Sequence, residues 1–221
     1  MPGQIKIDDG AGNYTVLTNG GSLGSDKTIT IPNETATLAT TNASNLGGLV
    51  KLASATASNS SELLFDNFVD TSTYSYYHII AENIISATNG AQLYMTFRQG
   101  GGSGSDLNGT YYGMAWQSTG NSASSGFDSN FSTANFAQIG DQLQNSAGRA
   151  HNGTVEFFPS DGTNNGTYIS ANFVHNTSAG NIRSRHRGQY LDSTTAATGA
   201  RIYMSSGNIT SGSIYIYGVK K

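Results

Sequence analysis

The chain has 221 residues, and nearly half of them are Gly, Ser, Thr or Asn (28, 28, 24 and 21 residues). Only 11% of the residues are charged, the net charge is −3 and cysteine is absent. This composition excludes disulfides and cysteine-based zinc sites, and it argues against a nucleic-acid-binding surface. Lys, Glu and Leu are too sparse for many amphipathic helices, whereas 12 Tyr and 9 Phe are too many for a disordered chain. The composition therefore predicts an all-β protein.

Residues 1–47 are predicted to form a β-rich N-terminal arm. Segments 4–8 and 14–18 are strand candidates with a turn between them, segment 27–32 alternates in polarity again, and segment 35–40 is a weaker fourth candidate. The apolar supply is too thin for a monomeric core, so we expect the arm to anchor the protein and to pack against sister chains or a docking partner. The residues expected to make these contacts are Ile5, Ile7, Val16, Leu17, Ile29, Ile31 and Leu38.

Residues 48–61 are rich in Ser, Thr and Ala and are predicted to be a linker, and residues 62–221 are predicted to form the main domain. Ten strand candidates separated by Gly, Asn, Ser and Thr clusters are typical of an antiparallel β-sandwich or jelly roll. They are 63–69, 74–84, 92–98, 110–116, 136–140, 153–158, 168–175, 188–191, 200–204 and 213–219.

The segment 117–134 is predicted to be a long loop at one end of this domain. It holds Phe127, Asp128, Asn130 and Phe131 within a stretch of Ser, Asn and Gly. Long loops on a rigid scaffold often carry recognition, so these four residues are a candidate binding loop. A surface connector or a subunit contact is the alternative interpretation.

A compact basic run, Arg183, Arg185, His186 and Arg187, is the candidate basic contact of the chain. Guanidinium groups bind carboxylates and other oxyanions through paired hydrogen bonds, so the run could hold an acidic partner or an acidic sugar. The alternatives are an edge strand protected by charge and pairing between subunits.

Many tyrosines fall within the strand candidates. Their large rings and hydroxyl groups suit a core, a subunit interface or a sugar-stacking platform, and the sequence does not choose among these. Those inside strand candidates include Tyr74, Tyr76, Tyr77, Tyr94, Tyr111, Tyr112, Tyr215 and Tyr217.

The sequence predicts no catalytic residues, no metal site and no cofactor. None of the four histidines lies in a hydrolase or metalloprotease motif. Glu82 and Glu156 are the only acids flanked by strand-like residues, and a glycosidase would need such a pair at close range. No apolar run is long enough to span a membrane.

Three segments resemble virion surface proteins of marine and cyanobacterial bacteriophages. Residues 23–40 (LGSDKTITIPNETATLAT) are similar to an element near the start of phage tail-fibre proteins. Residues 65–98, with FDNF, YYHII and NGAQLYMTFR, resemble the opening of a β-sandwich domain of phage structural proteins, and residues 207–221 (GNITSGSIYIYGVKK) resemble its last strand.

The resemblance implies a non-enzymatic homotrimer on the exterior of the phage particle. We expect a tail-fibre or host-adhesion protein that contacts a tail adaptor, with a host surface glycan as a further candidate partner. The alternative is a capsid decoration protein bound to the major capsid protein, and a polysaccharide depolymerase is a remote third interpretation. We expect neither binding to nucleic acid nor insertion into a membrane.

Overall fold

The computed structural model describes residues 5–8, 14–17, 48–101, 104–120, 125–146, 148–160, 162–163, 166–177 and 181–221. The chain divides into two compact units, Met1–Ala43 and Ser44–Lys221. The described residues contain no α-helix, and within them no helix is long and apolar enough to cross a membrane. The all-β prediction is confirmed for this part of the chain.

The first unit contains a short antiparallel pair, β1 (Ile5–Asp8) and β2 (Tyr14–Leu17), with Ile5 opposite Leu17. The two strands predicted at 4–8 and 14–18 are therefore confirmed to within one residue. The remaining predicted contact residues of the arm, Ile29, Ile31 and Leu38, lie outside the described residues.

In the part of the second unit that the structure describes, thirteen antiparallel strands form two sheets. An eight-stranded sheet has the order β3-β15-β5-β11-β12-β13-β8-β9, and a five-stranded sheet has the order β10-β6-β14-β4 with β7 also paired to β6. The strands are β3 (Leu49–Ser60), β4 (Glu62–Phe65), β5 (Tyr74–Ser86), β6 (Ala91–Gln99), β7 (Ser105–Asp106), β8 (Thr110–Thr119), β9 (Ser125–Ala134), β10 (Ala137–Leu143), β11 (His151–Phe158), β12 (Thr167–Asn176), β13 (Ile182–Asp192), β14 (Gly199–Met204) and β15 (Ile209–Lys220).

All ten strand candidates of the main domain overlap with strands, although only residues 63–65 of the candidate 63–69 belong to one, and the segment 48–61 differs from its predicted role as a linker. It contains β3, which pairs along its length with the C-terminal strand β15, Leu49 lying opposite Val219 and Ser60 opposite Ile209. Strand β3 is an edge strand of mostly small residues. Its backbone hydrogen bonds to β15 hold it in the sheet, so it forms without a strong alternation of apolar and polar residues.

An aromatic core joins the two sheets in a β-sandwich-like arrangement. Phe157 of β11 stacks on Tyr77 of β5, with ring centroids 4.9 Å apart. From the smaller sheet, Phe97 of β6 meets the same Phe157 edge-on at 5.0 Å. All three side chains are fully buried. The sheets therefore share one hydrophobic core, and Phe157 is at its centre.

Away from this core, polar side chains hold the sheets together. Strand β10 lies at the edge of the smaller sheet, so one side of its backbone has no strand partner within that sheet. The amide of Gln189, on β13, supplies the missing bonds: Gln138 N donates to Gln189 Oε1 at 3.0 Å, and Gln189 Nε2 donates to Gln138 O at 3.0 Å. At the position of Gln138, one buried glutamine side chain thus makes the two backbone hydrogen bonds that a neighbouring strand would make.

We predict that Phe157→Ala lowers the free energy of unfolding by about 3–5 kcal/mol, because it removes a fully buried ring contacted from both sheets. Phe158→Ala is the matched control, since this adjacent ring is 50% exposed on the opposite face of the same strand. Its loss should cost less than half as much in urea-induced unfolding. Equal losses for the two variants would contradict the assigned core.

Candidate functional site

Five aromatic residues form a row across the solvent-facing side of the larger sheet. Phe158 lies opposite Tyr168, Tyr168 opposite Tyr190, and Tyr190 opposite Tyr112. At the other end Tyr76 stacks on Phe158, with ring centroids 5.2 Å apart and an angle of 26° between the planes. We call these five side chains the aromatic row. With strands about 4.8 Å apart, the row extends for about 19 Å across five strands.

An apolar groove runs beside the aromatic row. The next row on the same face consists of Ser170, Gly188 and Met114, which lie opposite one another on β12, β13 and β8. Because Gly188 has no side chain, a cavity of about 460 Å³ opens above it, bounded by Met114 and four rings of the aromatic row. Met114 is 60% exposed and Tyr168 is 55% exposed. A contiguous exposed apolar patch of this kind often marks an interaction site, whereas a single exposed apolar side chain needs no such explanation.

The residues of the predicted binding loop lie in a strand instead. Residues 117–119 end β8, and β9 contains Phe127, Asp128, Asn130 and Phe131. Strand β9 pairs with β8 as the edge of the larger sheet, and Trp116 lies opposite Phe127. The Ser, Asn and Gly content of this segment resembled a loop, but pairing with the apolar and aromatic β8 gives it strand structure. Phe127 itself is 78% exposed.

The predicted basic contact is divided between two faces of β13. The strand lies between β12 and β8, so the interpretation as a charged edge strand is wrong. His186 is on the solvent-facing side, where its Nδ1 lies 2.5 Å from Asn172 Oδ1. Arg183, Arg185 and Arg187 alternate with it and face inward, toward the smaller sheet. The alternation of side chains along a strand separates residues that are adjacent in the sequence.

Small neighbours make room for the inward-facing arginines. Arg187 is only 2% exposed, and its cross-strand neighbours are Ala171 on β12 and Ala115 on β8. Arg185 lies between Phe173 and Gln117. Two short alanine side chains beside a long guanidinium side chain leave space between the sheets.

The inward-facing arginines line a polar cleft of about 360 Å³ between β13, β8 and the β10–β6 pair. We call it the basic cleft. Among the described residues, eight polar ones line it, and Asp141 is the acid in this set. They are Gln92, Gln117, Gln138, Asp141, Gln142, Arg183, Arg185 and Arg187.

The buried carboxylate of Asp141 is the centre of the bonding network in the basic cleft. Its Oδ1 accepts hydrogen bonds from Gln92 Nε2 and Gln138 Nε2, both at 3.1 Å. Its Oδ2 accepts a hydrogen bond from Arg185 Nη1 and lies 3.6 Å from Arg183 Nη1. Because both oxygens are occupied, this carboxylate has little capacity for a further donor.

No protein-family model, curated protein or solved structure matches this chain. The functional assignment therefore depends on the resemblance of the sequence segments described above and on the contacts of the described residues.

The two acids considered for catalysis do not form a close pair. Glu156 lies opposite His78, with 3.4 Å between Oε1 and Nδ1, and Glu82 is four residues farther along the strand that carries His78. Four residues correspond to about 13 Å along a strand, beyond the roughly 5–9.5 Å between the two carboxyl groups of a glycosidase. In the described residues no group of three or more His, Asp or Glu side chains could hold a metal ion.

Two buried histidines lie next to the basic cleft. The rings of His151 and His175 have centroids 5.7 Å apart, and His175 lies opposite Arg183 on β13. Burial, followed by the charges of His151, Arg183 and Arg187, lowers the pKa of His175 to about 3. Burial also lowers the pKa of His151. Both rings are therefore neutral in the folded protein near neutral pH.

We predict that protonation of these histidines makes the domain sensitive to acid. An unfolded histidine has a pKa of 6.5, so between pH 6.5 and about 3 the unfolded chain binds a proton that folded His175 does not. The free energy of unfolding should fall with decreasing pH in this window, by up to about 1.4 kcal/mol per pH unit for this group.

Urea-induced unfolding at pH 7, 5.5 and 4.5 measures the effect. His175→Gln, which cannot titrate, should lose less stability than the unsubstituted protein across this series. His186→Gln, on the exposed side of β13, is the control for the histidine-to-glutamine change itself. Identical pH dependence for all three proteins would contradict the prediction.

Proposed function

We propose that the protein is a non-enzymatic structural protein of the tail-fibre or host-adhesion type on the exterior of a bacteriophage particle. In this proposal residues 1–47 anchor it to the particle, and the jelly-roll-like main domain is displayed outward as part of a homotrimer. The resemblance of residues 23–40, 65–98 and 207–221 to phage virion proteins supports the assignment.

The apolar groove above Gly188 is the observation on which the adhesion role depends. Its volume of about 460 Å³ falls within the range of small-ligand sites, about 300–1,000 Å³. Tyrosine rings offer apolar faces and edges together with hydroxyl groups, which suits a ligand that presents both C–H and O–H groups. The partner that fits this chemistry best is a sugar unit of a host surface glycan.

We predict that Gly188→Leu abolishes binding to host cells without unfolding the domain. A Cβ atom at Gly188 would meet only Met114 Cγ, at 4.0 Å, so a larger side chain fits there and fills the groove. Ser184→Leu adds the same side chain to the same face of β13, about 13 Å along the strand, and should leave binding unchanged. Binding is measured with the labelled full-length chain on host cells.

The mass of each variant in solution distinguishes adhesion from subunit contact. A trimer has three times the chain mass of 23.1 kDa, and both variants should keep it. If Gly188→Leu instead dissociates the trimer, the groove is a contact between subunits and the adhesion proposal is wrong. Undiminished cell binding by Gly188→Leu would also contradict it.

The copy number of the protein in purified virions separates a fibre from a capsid decoration protein. A fibre or adhesin should be present in tens of copies or fewer, because a particle has few tail attachment points. Decoration of the major capsid protein would require hundreds of copies. Densitometry of the virion proteins against the major capsid band gives this number, and a count in the hundreds would overturn the tail assignment.

A further inference from the structure

The solvent-facing side of the larger sheet carries acidic side chains around the apolar groove. On the strands β5, β11, β12, β13 and β8, the outward positions hold three carboxylates, those of Glu82, Glu156 and Asp192. Among the described residues of these five strands, no lysine or arginine occupies an outward position, because the three arginines of β13 face the smaller sheet. The charge of this face therefore complements a cation better than an anion.

Glu156 lies at the end of the floor of the apolar groove. It is opposite Ser170 on β12, and Ser170 is opposite Gly188 on β13, so Glu156 is two strands, about 10 Å, from Gly188. It is also two residues along β11 from Phe158, one of the rings that bound the groove. The side chain of Glu156 is 47% exposed, so a ligand in the groove can reach its carboxylate.

The carboxylate of Glu156 has capacity for a further donor. Its Oε1 lies 3.4 Å from Nδ1 of His78, and its Oε2 forms no hydrogen bond or ion pair with a described residue. Lys51 belongs to the same cross-strand row, but its Nζ lies over the ring of Tyr215, 5.0 Å from the ring centre. The lysine therefore contacts a tyrosine, and Glu156 keeps one oxygen for a donor that comes from solution.

The aromatic rings of the apolar groove supply a second attraction for a cation. The faces of aromatic rings carry partial negative charge and bind ammonium groups, most strongly where water is excluded. The ten described residues that line the groove are all uncharged, and four of them are aromatic. These four are Tyr112, Phe158, Tyr168 and Tyr190. Rings along the groove and a carboxylate at its end are the two elements that together recognise an organic ammonium group.

We propose that the apolar groove binds the protonated amine of an amino sugar, with Glu156 as its counter-ion. This inference rests on the proposed adhesion function, because it names the class of sugar unit that the same groove binds. The carbon atoms of the sugar pack against Met114 and the aromatic rings. Its hydroxyl groups bond with the hydroxyl groups of Ser170 and of the tyrosines, which both donate and accept.

Isothermal titration calorimetry of the full-length chain at pH 7 and an ionic strength of about 0.15 M tests the proposal. The probes are glucosamine, N-acetylglucosamine, glucose and choline, and the amine of glucosamine is mostly protonated at this pH. We expect saturable binding of glucosamine. N-acetylglucosamine and glucose should bind at least about tenfold more weakly, because they carry no ammonium group. Choline has the cation without the sugar hydroxyl groups and should also bind more weakly than glucosamine.

Glu156→Gln should weaken glucosamine binding by about fivefold, because it removes the counter-ion and keeps the size of the side chain. Its binding of glucose should be unchanged. The matched control is Glu82→Gln, which removes the same charge from the same face, four residues along β5 from His78. At this ionic strength charges are screened over about 8 Å, so the control should bind glucosamine like the unsubstituted chain.

The proposal is overturned if glucosamine does not bind at concentrations up to about 50 mM, well above a Kd of about 1 mM. It is also overturned if N-acetylglucosamine or choline binds as tightly as glucosamine, or if Glu156→Gln leaves glucosamine binding unchanged.

Gly188→Leu distinguishes failure of this proposal from failure of the adhesion function. If this variant loses glucosamine binding but still binds host cells, the groove recognises the amine and the adhesion function is wrong. If glucose and glucosamine bind the unsubstituted chain equally and this variant binds neither, the groove is a sugar site and the assignment of the amine is wrong.

Discussion

The cross-strand register of β13 with β12 and β8 is the constraint on which both candidate sites depend. Successive residues of a strand face opposite sides of the sheet, so a shift of one residue would exchange the two faces. In the observed register Gly188 and Tyr190 complete the apolar groove on the solvent side. Arg185 and Arg187 face the smaller sheet. One strand thus supplies the floor of the groove on one face and a wall of the basic cleft on the other.

This arrangement reverses the usual distribution of side chains, because the larger sheet exposes aromatic rings and buries guanidinium groups. The reversal is local. Toward β5 and β11 the same inner face is apolar, with Phe157 and Tyr77 stacked at its centre. Toward β13 the sheets are joined instead by the Gln189 amide and the Asp141 network. The apolar part supplies most of the stabilisation, so the polar part can retain charged groups and a cavity that a uniformly packed core would exclude.

Alternation and turn residues were sufficient to predict ten of the thirteen strands described in the second unit, whereas β3, β7 and β9 and the position of each side chain required the pairing order. The segments around Tyr77 and Phe157 have strong two-residue periodicity, and both are strands. Strand β3 lacks that signal because its small residues are held by pairing with β15, which lies at the other end of the chain. The aromatic row could not be found in the sequence for the same reason. Tyr76 and Tyr112 become members of one row only through the three strands between them.

The basic run shows the same limit of sequence-based prediction within a single strand. Its composition predicted a contact for an oxyanion, but a compact patch of four residues assumes that neighbours in the sequence share a surface. In a strand they do not, so His186 pairs with Asn172 on the exposed face while Arg183 and Arg185 meet Asp141 between the sheets. Burial changes what these arginines can do. An exposed arginine interacts with an anion through water, whereas Arg183 and Arg185 are largely withdrawn from solvent and lie against the carboxylate of Asp141.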